Sequence, residues 1–189
     1  MDWLSVFDEA RPDRGASDVE VQHFVVSIAQ PLSQAEIDEI NRSQRNPFPE
    51  GDPLHAVYRS LDPSVWVLPK QALPPAYLAF LRYSNGGWFR SGDREFGFFG
   101  TAGPGGVRDM TLAYQVPQYM SGALPFAFNG AGTFYLFDMR TEPVRDEYPI
   151  VCAHAGNLGW DSDACYLVAD SFEAACRGRV DIDTLRWRT

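Results

Sequence analysis

The sequence predicts a single α+β domain, and three observations carry that expectation. Well-formed helix starts occupy the first two thirds of the chain, four short apolar runs bounded by turns crowd its last third, and neither a linker nor an internal repeat divides the 189 residues. Helices followed by clustered strands favour a mainly antiparallel sheet over a βαβ alternation. At this length folding buries about 70% of the surface that the unfolded chain exposes, so one core forms without metal or disulfide staples. A composition 45% hydrophobic and 22% charged fits a globular domain and excludes the disordered, collagenous and membrane classes.

Taken in order, residues 3–10 suggest a short helix and Arg11-Pro12-Asp13-Arg14-Gly15 a polar loop. Residues 19–29 are rich in Val, Ile and Phe and alternate in part, which predicts a strand ended by Pro31. At Leu32-Ser33-Gln34-Ala35-Glu36-Ile37 a helix starts: Ser33 can cap the amide of Glu36, Glu36 can return the bond, and Leu32 can pack on Ile37. Asp52-Pro53 predicts a second helix with Leu54, Val57, Tyr58 and Leu61 on its buried face, and residues 65–68 then read as a short strand. Pro74-Pro75 opens the next helix, which stripes Tyr77, Phe80 and Leu81 and stops at Asn85-Gly86-Gly87, residues that tolerate left-handed backbone. Residues 95–100 predict a strand, 103–106 a loop, and 108–116 a helix ended by Pro117. The strands of the last third are expected at 124–128, 133–139, 150–154 and 165–169, with Asn129-Gly130-Ala131-Gly132 joining the first two as a hairpin. Asp170-Ser171 caps a final helix over 172–177, and a tail runs on through Trp187.

Charge narrows the partners. Twenty-five acidic against 16 basic residues give a net charge of −9, which disfavours nucleic acid and anionic membranes and permits a basic protein partner. Three cysteines without a Cys-x-x-Cys pair suit a reducing compartment, and the N-terminus lacks the features of a secretory leader, so a cytoplasmic location is expected.

A search for chemistry finds none. The glycine-rich stretch 97–106 contains no phosphate-loop or dinucleotide fingerprint. Cys152, His154, Cys165 and Cys176 have the wrong spacing for structural zinc, and Cys152 and His154, two apart on a strand, point the same way without facing each other for nucleophilic attack. Asp161-Ser162-Asp163 lacks the further ligands of a calcium loop. No catalytic residue, no metal and no cofactor is expected. What remains is acidic: Asp138, Glu142, Asp146 and Glu147 gather near one strand connection, and Asp161 and Asp163 follow Trp160. Such a face would speed the encounter with a basic partner, with Trp88 and Trp160 as aromatic anchors.

Read together, Leu73-Pro74-Pro75-Ala76-Tyr77-Leu78-Ala79-Phe80-Leu81, Asn85-Gly86-Gly87, Leu124-Pro125-Phe126, Asn129-Gly130-Ala131-Gly132, Tyr135-Leu136-Phe137-Asp138, Pro143-Val144 and Asp170-Ser171-Phe172 resemble the SUKH superfamily over about residues 32–178. That family includes bacterial toxin-immunity proteins and fungal glucan-synthesis regulators. The resemblance implies a curved, mainly antiparallel sheet packed with helices and a binding fold without catalytic residues. It further implies a function in neutralising a cognate bacterial toxin, with a basic nuclease as a fitting partner. A regulatory adaptor and a small-ligand binder using the 97–106 region are the alternatives. The expected organisation is an N-terminal extension (1–30), a SUKH-like domain (31–180) and a C-terminal tail (181–189). Asn85, Gly86, Gly87, Asn129, Gly130 and Gly132 carry over as structural turns, whereas the family offers no fixed motif for binding residues. The acids and tryptophans named above are therefore the expected partner-binding residues.

Overall fold

The computed structural model describes residues 2–185, and the expected tail beyond them, with Trp187, lies outside the described residues. Its centre is one antiparallel sheet whose seven strands lie side by side in chain order: β1 (Glu9–Pro12), β2 (Gly87–Ser91), β3 (Arg94–Phe98), β4 (Ala123–Phe128), β5 (Thr133–Asp138), β6 (Ile150–His154) and β7 (Cys165–Ala169). Around it, in chain order, are α1 (Asp18–Ile28), α2 (Gln34–Ser43), α3 (Pro75–Tyr83), α4 (Val107–Ala113), α5 (Val116–Tyr119), α6 (Phe172–Arg177) and α7 (Ile182–Leu185). The architecture is the α+β arrangement that the sequence predicts.

Strand periodicity divides the aromatic residues between two faces. On one, Phe89, Phe96, Phe98, Phe126, Tyr135 and Phe137 meet α3 and α6: Phe172 stands 5.2 Å from Tyr77 and 5.3 Å from Phe126 between ring centroids, and Phe80 stands 4.2 Å from Phe98. On the other, Tyr114 past the end of α4 lies edge-on to Phe134 at 4.8 Å. A smaller cluster of Ile40, Trp66, Leu68 and Leu112 packs beside this core.

The N-terminal segment belongs to the same core. Trp3, Val6, Phe7, Val21, Phe24 and Ile28 are buried in it, and β1 extends the sheet past β2. Where β1 passes Gly87 (φ 96°), a Cβ would stand 2.6 Å from the Arg11 carbonyl, so the glycine run ends the helix and also admits the edge strand.

Several elements differ from expectation. Residues 19–28 lie in α1, a helix and not a strand, with Ala29 as its C-cap: Ser17 and Glu20 cap each other reciprocally, and Val21, Phe24 and Ile28 are buried at helical spacing that outweighs the β-branched content. The helix expected over 3–10 is a 3-10 turn (Trp3–Ser5) followed by β1, which takes Arg11 and Pro12 out of the expected loop; Pro12 is tolerated because β1 is an edge strand. The helix expected from Asp52 is a series of turns. Leu54 and Val57 are 49% and 63% exposed, and Pro63 leaves too little length to offset the cost of nucleation. Residues 65–68 alternate as a strand would, with Trp66 and Leu68 buried and Val65 and Val67 exposed, yet they pair with no strand among the described residues. The helix expected over 108–116 breaks at Gln115 (φ 55°), and Pro117 lies in the first turn of α5, where a helix has no internal partner for the N–H that proline lacks. Strand β2 follows directly on the glycine turn, which masks its start in the sequence. The last four strands, α2, α3 and α6 lie within a residue or two of expectation.

Candidate functional site

The expected acids gather where β5 ends and β6 begins. Segment 67–73 is tied to this end, Gln71 Nε2 donating to the Met139 carbonyl at 3.0 Å and Tyr148 Oη to the Ala72 carbonyl at 3.1 Å. Between that segment and the 139–142 loop lies an open groove of about 660 Å³, lined by Val67, Lys70, Gln71, Gly122, Arg140 and Glu142 among others.

Arg140 organises its rim. The guanidinium holds Asp138 with two bonds, Nε to Oδ1 at 2.9 Å and Nη2 to Oδ2 at 2.7 Å, and lies 3.6 Å from the centroid of the Trp160 ring. Trp160 Nε1 in turn donates to the Ser121 carbonyl at 3.1 Å. Bonds from Arg140 hold the Asp138 carboxyl below its usual range against the opposing effect of burial. Asp138 is thus neutralised within the chain, and Trp160 is covered on one face by a cation.

Beyond the groove the chain makes a two-residue turn. Val144 and Glu147 exchange backbone hydrogen bonds at 2.9 and 3.2 Å, and between them Arg145 and Asp146 both adopt left-handed backbone, φ 56° and 61°. This is the geometry of a type I′ turn made without glycine or asparagine, and it presents Arg145, Asp146 and the 74% exposed Val144 to solvent. Glu147 turns inward and accepts from the Phe172 amide at 3.0 Å at the start of α6; burial pushes its carboxyl above the usual range, with Glu173 and Asp146 adding to the rise. Glu142 and Asp146 are exposed and form no ion pair among the described residues.

The remaining expected residues lie at different distances from this groove. Asp161 and Asp163 are exposed in the β6–β7 loop beside Trp160. Trp88 is on β2, three strands from β5, where the Arg11 guanidinium sits 5.4 Å from its ring centroid. The structure therefore brings Asp138, Glu142, Asp146 and Trp160 into one region and leaves Trp88 in another. Asn129 is a hairpin residue whose Oδ1 accepts from the amides of Ala131 and Thr133, both at 2.9 Å, and Asn85 Oδ1 accepts from the Thr101 amide at 2.7 Å. Sequence reasoning missed Arg140, Lys70 and Arg145. Only Arg140 carried a signal, since Asp138 and Arg140 are two residues apart at a strand end.

Cys152 and Cys176 are buried and Cys165 is half-buried, and none of the three is in a disulfide. Burial pushes the Cys152 thiol up to about 12 and that of Cys165 to about 11, and raises Cys176 as well, so all three stay protonated at neutral pH. Among the described residues no three His, Cys, Asp or Glu side chains form a group able to hold a metal ion, and no helix is long and apolar enough to cross a membrane.

A family model described as the SMI1 / KNR4 family (SUKH-1) matches residues 70–176, which run from just before α3 into α6 and include β2 to β7. No curated protein matches the chain.

Proposed function

The chain belongs to the SMI1 / KNR4 family (SUKH-1), and from that premise we propose that it is a cytoplasmic immunity protein that neutralises a basic bacterial toxin by direct binding. Membership of this family supports a protein-binding or regulatory domain in place of an enzyme. The toxin-neutralising role is our reading of the charge and of the groove.

One observation carries it. Eight arginines are each paired with a carboxylate inside the chain, whereas Glu142 and Asp146 stand exposed, without an ion pair among the described residues, on either side of an apolar residue, Val144, next to the groove. Exposed acids of this kind steer a basic partner at the encounter stage, while the groove and the Trp160–Arg140 stack supply area to bury. Asp161 and Asp163 extend the proposed contact. Asp138 and Glu147 act as supports beneath it, and Trp88 belongs to a separate part of the surface. A nuclease fits the charge, since a protein that binds nucleic acid presents a basic face.

The test pairs capture from the native source with expression of the neighbouring gene. A single basic protein, bound tightly and toxic when expressed alone, supports the proposal. Reversing charge at Glu142→Lys and Asp146→Lys together should then slow association at least tenfold at low salt and less at high salt. Unchanged association would move the interface elsewhere on the molecule. Several weak partners, none toxic alone, would favour a regulatory adaptor.

A further inference from the structure

A second cleft, of about 640 Å³, lies between α2 and α4 and is walled on one side by Thr101, Ala102 and Gly103. Its floor is apolar: Ile40 and Leu112 are each 7% exposed, and Ala113 lines the mouth. The size falls within the range of small-molecule sites.

The polar groups around it are unevenly matched. Arg108 uses all five of its N–H donors within the chain: Nε and Nη2 bond both carboxylate oxygens of Glu36 at 2.6 and 3.0 Å, Nη1 bonds the Ser27 and Gln30 carbonyls at 2.6 and 3.1 Å, and Nη2 also bonds the Pro31 carbonyl at 3.1 Å. It has nothing left for an anion. The acceptors are less fully used. Asp109 accepts from the Gly105 amide through Oδ2 at 2.8 Å, and its other oxygen has no partner among the described residues. Thr101 is only 5% exposed, and its hydroxyl makes no hydrogen bond among the described residues, its amide alone being held by Asn85. The sealed, unpartnered side-chain polar atom among the described residues is Tyr77 Oη, so the Thr101 hydroxyl keeps some contact with the surface, and Thr101 is one of the residues that line the cleft.

An apolar floor, a nearly buried hydroxyl without a partner among the described residues, an exposed carboxylate at the rim and a fully engaged arginine suit a ligand that donates hydrogen bonds, carries positive charge and has a short hydrocarbon body. We propose that the α2–α4 cleft binds a small-molecule alkyl ammonium ion, its chain on Ile40 and Leu112 and its ammonium group toward Thr101 and Asp109. This site is separate from the groove at the β5–β6 end and does not depend on the proposed toxin contact.

The probes are hexylammonium, hexanol and hexanoate, titrated into the full chain while backbone amide resonances are followed. Hexylammonium should shift the amides of 101–103 and 109–113 saturably and bind about tenfold more tightly than hexanol, with hexanoate weakest. Ala113→Trp, at an exposed position on the cleft wall, should abolish the shifts in a protein whose spectrum stays dispersed, and Thr101→Val and Asp109→Asn should each weaken binding several-fold. Glu142→Lys with Asp146→Lys should leave it unchanged. Absence of saturable shifts in the wild-type chain, equal or tighter binding of hexanol or hexanoate, or full binding in Ala113→Trp would overturn the proposal.

Discussion

Gly178 lies against the guanidinium of Arg94, so close that a Cβ at 178 would stand 1.9 Å from Nη1. Arg94 is 4% exposed and gives hydrogen bonds to the Ala175 carbonyl in α6 and to the Val180 carbonyl, both at 2.9 Å. It lacks a carboxylate partner among the described residues, and carbonyls near the C-terminal end of α6 stabilise its charge instead. Because the cation cannot retreat without losing those bonds, Gly178→Ala should destabilise the fold by about 2–4 kcal/mol, measured by urea unfolding. A loss below about 0.5 kcal/mol would mean that the 178–180 segment shifts at little cost.

Tyr77 is fully buried among Phe24, Phe126, Phe137 and Phe172, and its hydroxyl has no hydrogen-bond partner among the described residues. A desolvated hydroxyl without a partner costs about 1–3 kcal/mol. Tyr77→Phe keeps the ring and removes the penalty, so the midpoint of denaturation should rise with an unchanged m-value.

Glu36 links the start of α2 to Arg108 of α4, and its carboxyl is lowered from 4.5 to about 2 by Arg108 first, with the Ser33 amide and hydroxyl adding, against an opposing effect of burial. A folded-state value below the unfolded one contributes stability that is present above pH 4.5 and is lost as pH falls toward 2. Solvent reaches the pair, so the contribution is about 1–2 kcal/mol at neutral pH. Glu36→Gln should lower stability at pH 7 by that amount, and the gap from wild type should close below the unfolded value. A gap that is constant with pH would locate the effect in packing.

Removing the stacked guanidinium should uncover a tryptophan. In Arg140→Ala, Trp160 loses its cation and Asp138 loses both bonds, which should cost about 1 kcal/mol and increase acrylamide quenching of tryptophan fluorescence. Arg140→Lys keeps the charge but not the planar two-bond geometry, so it should fall between the two.

The Val144–Glu147 turn holds two non-glycine residues in left-handed backbone. The double substitution Arg145→Asn with Asp146→Gly should stabilise the chain by about 1 kcal/mol, because an Asn-Gly pair adopts a type I′ turn with less strain. If this turn meets the partner, the same variant should bind more weakly while being more stable. Binding that follows stability would remove the turn from the interface.

Much of the fold was legible because its determinants are local. Ser33 and Glu36 three residues apart, Pro75 opening a helix, Asn129-Gly130 between two apolar runs and Ser171 before Phe172 are short-range devices, and α2, α3, the β4–β5 hairpin and α6 lie where those residues put them. The misreadings arose where two local signals competed or where a long-range partner decided. In α1 the Ser17–Glu20 cap and the spacing of Val21, Phe24 and Ile28 prevailed over β-branched composition. Residues 65–68 have a strand's alternation without a strand's partner.

The sequence by itself determined the α+β class, the positions of the C-terminal strands, the acidic balance and the family resemblance, since these follow from composition, from residues close together in the chain and from the order of short motifs along it. Tertiary structure alone decided which acids stay available. Asp138 is closed off by Arg140, Glu147 turns inward to the α6 amide 25 residues away, and Arg108 meets Glu36 across 72 residues, leaving the α2–α4 cleft without a free cation among the described residues. For pairs such as Arg108 and Glu36, whether a carboxylate faces solvent or an arginine depends on distances that folding sets and that no spacing along the chain encodes.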